Sequence, residues 1–187
     1  GAFENDGLRF TRSDRFSVYI QGDNQIWADY DEDGDLDMFL ATGSNGKFNH
    51  LFDNESGVFT DVAAAAGVEG HQRGRWTSSS WVDLNNDGWL DILALRNGTA
   101  QGIAHLNRGD GTFDTVSPRS LGIPQNQYAF AATWADYDLD GDLDLHLGEQ
   151  GIVTRGSDGL FSASNAVEGG YNESAWVDLN ADGHPDV

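Results

Sequence analysis

A chain of 187 residues is long enough to bury a sizeable core, and 39 % hydrophobic residues with 24 glycines describe a loop-rich globular protein rather than a disordered one. The formal net charge of -21, from 31 acidic and 10 basic residues, would repel phosphate backbones and anionic lipid, which argues against nucleic acid or membrane surfaces as partners. There is no cysteine, so disulfides and thiolate metal sites are ruled out, and the longest apolar stretch, around Val62 to Val68, is far too short to span a bilayer.

The chain begins at Gly1 with neither a methionine nor a visible secretory leader, as expected of a processed or excised segment. Its first residues, AFENDGLRF over 2–10, read as the outer hairpin of a sheet whose inner half is absent. From there one unit recurs. A short run of small residues (25–27, 78–81, 131–134 and 173–176) ends in Trp27, Trp81, Trp134 or Trp176. An aspartate-rich loop follows each tryptophan: WADYDEDGDLD at 27–37, WVDLNNDGWLD at 81–91, WADYDLDGDLD at 134–144 and WVDLNADGHPD at 176–186. Beyond the first two loops come β-prone runs at 36–42 and 90–95, then 49–52 and 103–106, then 57–62 and 111–116, parted by Gly, Asn and Asp turns. Only Val62-Ala-Ala-Ala-Ala-Gly67 reads as helix, and for about one turn.

The first loop aspartates, at 29, 83, 136 and 178, are spaced by 54, 53 and 42 residues, a period typical of propeller blades or solenoid units. The expected fold is therefore all-β: a β-propeller of four-stranded blades, with repeats at approximately 23–76, 77–129 and 130–171 and partial ones at 1–22 and 172–187. The small residues suit the crowded innermost strand, with each tryptophan wedged between blades. Two architectures remain open, a part of a larger propeller or a four-bladed ring closed by joining the ends. Joining supplies 19 residues where 25 to 30 are expected, so the first is favoured.

So many carboxylates in nine residues repel one another unless a cation neutralises them. Ca²⁺, a hard ion with six to eight oxygen ligands, matches the donor set. Loop positions 1, 3, 5 and 9 would give side-chain oxygens and position 7 a backbone carbonyl, with the glycine at position 6 allowing the sharp turn. The candidates are Asp29, Asp31, Asp33 and Asp37 with the carbonyl of Asp35, and Asp83, Asn85, Asp87 and Asp91 with that of Trp89. The third set is Asp136, Asp138, Asp140 and Asp144 with the carbonyl of Asp142, and the fourth Asp178, Asn180, Asp182 and Asp186 with that of His184. Up to four Ca²⁺ are expected. An EF-hand begins alike but needs a bidentate glutamate at position 12, where this chain has Leu40, Ala94 and Leu147. Mg²⁺ is disfavoured because an all-protein cage rarely gives its strict octahedron.

The unit W-[AV]-D-[YL]-[DN]-x-D-G-x-x-D, then N-x-L-F, then G-x-F-x-D-V, resembles the FG-GAP/VCBS repeats of integrin-type β-propellers, in a variant similar to those of bacterial surface and ASPIC-type extracellular proteins. The resemblance covers nearly the whole chain and implies a Ca²⁺-stabilised propeller of a secreted or surface protein.

Other motifs have plainer readings. Arg108-Gly-Asp110 spells an integrin-recognised tripeptide but sits in the repeat's ordinary hairpin turn. His50 and His105, each before a leucine, read as matching packing positions. The insertion His71-Gln-Arg-Gly-Arg75 is basic in an acidic chain and reads as a solvated loop, or as a site for an acidic sugar or partner carboxylate. Asn54, Asn97 and Asn172 begin glycosylation sequons. No nucleophile with an adjacent base, P-loop or dinucleotide fingerprint stands out, so an enzyme is not the favoured reading. The expected function is an extracellular structural, adhesion or protein-interaction scaffold, binding a protein or glycan and open to self-association through exposed strand edges. The alternatives are a lectin-like propeller and the propeller domain of a polysaccharide-acting enzyme using Arg73 or Arg75.

Overall fold

A computed structural model describes residues 3–5, 10–12, 24–42, 48–70, 76–96, 102–124, 132–148, 151–164 and 174–187. Strands β1 (Phe3–Asn5) and β2 (Phe10–Arg12) pair antiparallel, as the opening hairpin predicts. The next strands are β3 (Asn24–Ala28), β4 (Asp37–Ala41), β5 (His50–Glu55) and β6 (Val58–Asp61). They pair in chain order as a four-stranded antiparallel meander. The same arrangement recurs in β7 (Trp76–Val82), β8 (Asp91–Arg96), β9 (Ile103–Asn107) and β10 (Phe113–Val116). A third sheet holds β11 (Thr133–Ala135), β12 (Asp144–His146), β13 (Ile152–Arg155) and β14 (Phe161–Ala163). The fourth repeat contributes a bridge between Val177 and Asp186.

Register is conserved between the sheets. Trp27 faces Met38, Trp81 faces Ile92 and Trp134 faces Leu145, so each acidic loop closes the hairpin of its sheet's first two strands at one fixed point. Besides the two-stranded β1–β2 pair, the three sheets are four-stranded and blade-like, with no closure into a ring among the described residues. No helix among those residues is long and apolar enough to cross a membrane.

Consecutive sheets stack face to face, and this explains the unbroken apolar runs of their second strands. In β8 the side chains alternate between neighbours. Ile92 and Ala94 join Phe39, Ala41 and Leu51 of the first sheet, while Leu93 and Leu95 join Leu145, Leu147 and Val153 of the third. The first strands, rich in small residues, approach closely: the Ala132 amide donates to Ser78 Oγ at 3.3 Å, and Thr133 Oγ1 lies 3.2 Å from Ser174 Oγ.

The tryptophans follow the interblade expectation except at Trp27. Trp81 stacks on Tyr30 of the preceding repeat, with ring centroids 5.8 Å apart and planes 13° off parallel. Trp176 lies 6.0 Å from Tyr137 and edge-on to His146, again across repeats. Trp134 packs against the core shared by the second and third sheets. Trp27 is 44 % exposed and meets Phe59 of its own sheet edge-on.

The short helix is α1 (Ala63–Ala66), ended by Gly67 in the left-handed region. The sequence gives no equally clear helical signal at its counterpart, a 3₁₀ turn at Pro118–Leu121 ended by Gly122, because Pro118 and Ser117 start it through backbone preference and a side-chain cap rather than a run of alanines. The histidine pairing needs correction. Register places Phe52 opposite Met38 and His105 opposite Ile92, so His105 corresponds to Phe52, and His50 to Ile103. The asparagine one strand-end further on aligns the repeats, and a following leucine does not.

Candidate metal centre

All four acidic loops share one backbone conformation. Position 6 is a glycine at φ of 97°, 94°, 96° and 88° (Gly34, Gly88, Gly141, Gly183), as its sequence position predicts. Position 4 is also left-handed in every loop, at Glu32, Asn86, Leu139 and Ala181, with φ of 57° to 62°. Of the four side chains only that of Asn86 belongs to a type that favours this region. The two reversals wrap the chain around the position 1 carboxylate, whose Oδ2 accepts from the position 6 amide in each loop at 2.9–3.1 Å (Asp29, Asp83, Asp136, Asp178).

Position 9 has a second role besides that of candidate ligand. Asp37, Asp91 and Asp144 are fully buried. Asp37 accepts from the Tyr30 amide at 3.2 Å and the Asn54 amide at 2.9 Å, one on each oxygen. Asp91 does the same with Leu84 (2.8 Å) and Asn107 (2.7 Å), and Asp144 with Tyr137 (2.9 Å) and Arg155 (2.8 Å). Each carboxylate thus staples the start of its loop to the sheet's third strand. Two amide donors stabilise the charged form, yet burial outweighs them: Asp37 and Asp91 are pushed up to about 6, and Asp144 is raised as well. Asp31 is raised by burial first and by neighbouring Asp33 second. Buried carboxylates held in this way are short of positive charge. In the fourth loop the environment is different: Asp178 and Asp182 are fully exposed and lowered, chiefly by the amides of Gly183 and His184.

Asp29, Asp31 and Asp37 bring one carboxylate oxygen each within 4.8 Å of the others, and Asp136, Asp138 and Asp144 do likewise. Inside these two clusters Asp29 Oδ1 and Asp136 Oδ1 are buried without a hydrogen-bond partner. A buried lone acceptor beside two further carboxylates is the arrangement that a divalent cation completes. Among the described residues no such group forms at 83–91 or 178–186, where position 3 is Asn85 or Asn180. Position 5 of every loop (Asp33, Asp87, Asp140, Asp182) accepts from the position 7 amide at 2.8–2.9 Å, which turns the position 7 backbone at Asp35, Trp89, Asp142 and His184.

Sequence reasoning missed the residues that tie each loop to its sheet's third strand and, in two repeats, to the preceding loop. Asn54, Asn107 and Arg155 occupy one equivalent place, since the amide of each holds its own position 9 carboxylate. Asn107 Nδ2 donates to the Tyr30 carbonyl of the preceding loop at 3.0 Å and to Leu90 O at 3.2 Å. Asn54 Nδ2 donates to Leu36 O at 2.9 Å, so the amide a glycan would need is buried and engaged. The available signal was the nearly equal separation from position 9, 17 residues for Asn54 and 16 for Asn107.

The Arg108-Gly-Asp110 tripeptide is a hairpin turn, with the Arg108 guanidinium paired to Asp114 and Asp110 Oδ1 accepting from the Thr112 amide at 3.0 Å. Residues 71–75, Asn97 and Asn172 lie outside the described residues.

Fold and loops together define an all-β repeat protein with acidic clusters able to chelate a divalent cation. The family model for the FG-GAP-like repeat matches residues 29–94 and 83–147, which jointly span more than half of the chain. The chain therefore belongs to the FG-GAP-like repeat family. Each match runs from position 1 of one loop to position 12 of the next, so the recurring unit straddles two adjacent sheets. No curated protein matches the chain.

Proposed function

We propose that the chain is a Ca²⁺-stabilised β-propeller module, with full repeats near 23–76, 77–129 and 130–171, acting outside the cell as a structural or adhesion scaffold. The observation that carries this reading is the recurrence of one loop geometry whose clusters leave Asp29 Oδ1 and Asp136 Oδ1 buried and unpartnered. Ca²⁺ suits sites made of carboxylate, amide and carbonyl oxygens on a flexible loop better than Mg²⁺ does. Its ligands are those named by loop position, up to four ions in all. The scaffold role rests on rigid stacked sheets, with the ions as staples in a chain that has no cysteine. Extracellular modules commonly bind Ca²⁺ with Kd of about 10⁻⁴–10⁻³ M. Such sites fill in the millimolar calcium outside cells.

Thermal melting in 5 mM CaCl₂ against EDTA tests this. At that concentration each site in that affinity range adds about 1–2 kcal/mol to stability. For a chain of this length each kcal/mol raises Tm by roughly 2–4 °C. An unchanged midpoint, with no metal found by elemental analysis, would overturn the reading.

A further inference from the structure

Arg155 is the one charged residue at a place where the other two sheets carry asparagine, and it is only 3 % exposed. Its amide holds Asp144 of its own loop, while its side chain crosses to the preceding one. There Nη1 donates to Asn86 Oδ1 at 2.7 Å and to the Asp83 carbonyl at 3.4 Å. Asn86 completes the link, its Nδ2 donating to Asp142 Oδ1 of loop 136–144 at 2.6 Å. Only one orientation of the Asn86 amide satisfies both neighbours, so the contact is directional. The guanidinium lies over the Phe161 ring, its carbon 5.6 Å from the centroid.

Loop 83–91 differs from its neighbours in two further respects. It has three carboxylates where 29–37 and 136–144 each have five at positions 1, 3, 5, 7 and 9. Its acceptors are also engaged internally. Asp83 Oδ1 accepts from the Asn85 amide at 3.3 Å and the Asp87 amide at 3.2 Å, and Asn85 Nδ2 donates to Asp87 Oδ2 at 2.8 Å. The matching oxygens Asp29 Oδ1 and Asp136 Oδ1 have no partner.

We propose that Arg155 is a resident positive charge that makes loop 83–91 a weaker cation site than loops 29–37 and 136–144, and that couples its filling to the state of loop 136–144. The inference rests on the reading of the loops as calcium sites. A guanidinium permanently beside Asp83 and Asn86 opposes a second cation there, and it holds the loop in shape without one. An ion at 136–144 fixes Asp144 and the chain at Asp142, and with them both ends of the Arg155–Asn86 link. Loop 83–91 then fills after loops 29–37 and 136–144.

Calorimetric Ca²⁺ titration of the whole chain, with Tb³⁺ luminescence excited through tryptophan, tests this. Trp89 sits at position 7 of the loop in question, so the luminescence phase lost in Trp89→Phe belongs to loop 83–91. In the wild-type chain that phase is expected after those of loops 29–37 and 136–144. Arg155→Gln removes the charge and is expected to move it to at least about fivefold lower ion concentration, while Arg155→Lys, which keeps the charge, leaves it late. Asn86→Gly suits a position at φ 57° and frees the guanidinium without altering a buried residue, so it shifts the same phase in the same direction. A single phase in the wild type, or a phase unmoved by Arg155→Gln and Asn86→Gly in chains that keep their near-ultraviolet circular dichroism, overturns the inference while leaving calcium binding intact. A chain that takes up neither ion overturns both.

Discussion

Replacing Gly122 by alanine puts the stacking of adjacent sheets to a quantitative test. Gly122 ends the turn at 118–121 with φ 84°, its amide donating to Arg119 O at 3.1 Å. An L-residue held there costs about 1–2 kcal/mol from backbone strain alone. A Cβ at this position would also stand 2.0 Å from the Phe161 carbonyl oxygen, on the outer strand of the next sheet. That atom is backbone, and Phe161 is buried under Trp134 and Arg155, so relief requires moving the strand. Overpacking of this kind typically adds about 1–3 kcal/mol, for a total of about 2–5 kcal/mol. Gly67 is the internal control: it ends α1 with φ 81°, but its Cβ would meet Phe113 O at 3.4 Å, an ordinary contact. Gly67→Ala should therefore cost only the backbone share, about 1–2 kcal/mol. Equilibrium urea unfolding at saturating calcium compares the two. Equal costs would show that the turn does not press on the neighbouring sheet, and the stacking described above would be wrong.

Two further outcomes follow from buried polar groups. Asn107→Ala removes the donor to Tyr30 O and Leu90 O and the acceptor for the Gly109 amide, so a loss of about 2–4 kcal/mol is expected, measured in EDTA to exclude metal effects. Asn54→Ala, whose side-chain bonds to Leu36 O and the Gly57 amide stay within one sheet, should cost less in the same assay. His105 is buried, and burial lowers its pKa from 6.5 to about 4, so the folded protein binds this proton less readily than the unfolded chain. Its contribution is present above pH 6.5 and is lost as pH falls towards 4. His105→Phe, the residue its counterpart Phe52 already supplies, should therefore lose less stability between pH 7 and pH 4.5 than the wild type, read as the shift in urea midpoint.

The sheets were legible because their periodicity and turn residues agree: Trp27, Trp81 and Trp134 each announce a loop and a second strand in fixed register. The two acidic clusters were legible for the same reason, since one repeated spacing carries Asp29, Asp31 and Asp37, and Asp136, Asp138 and Asp144, which the structure brings together. What could not be read belongs to contacts between repeats. At position 4 Glu32, Leu139 and Ala181 carry side chains with no left-handed preference, and the reversal accompanies the bond from the position 6 amide to the position 1 carboxylate that every loop makes. Asn107 stands just before the Arg108-Gly-Asp110 turn, and its side chain reaches 77 positions back along the chain to Tyr30. Arg155 gave no signal at all, being the exception to a pattern that only the aligned sheets reveal.

If the loops hold cations as proposed, the position 9 aspartates couple that binding to folding. Each carries a buried charge that burial disfavours, and each joins the loop's first turn to the third strand of its sheet. The residue whose amide it holds at the loop's start, Tyr30 or Leu84, is itself buried under the next sheet. An ion that stabilises the ionised carboxylate therefore fixes the loop, the third strand and the seat of the adjacent sheet together.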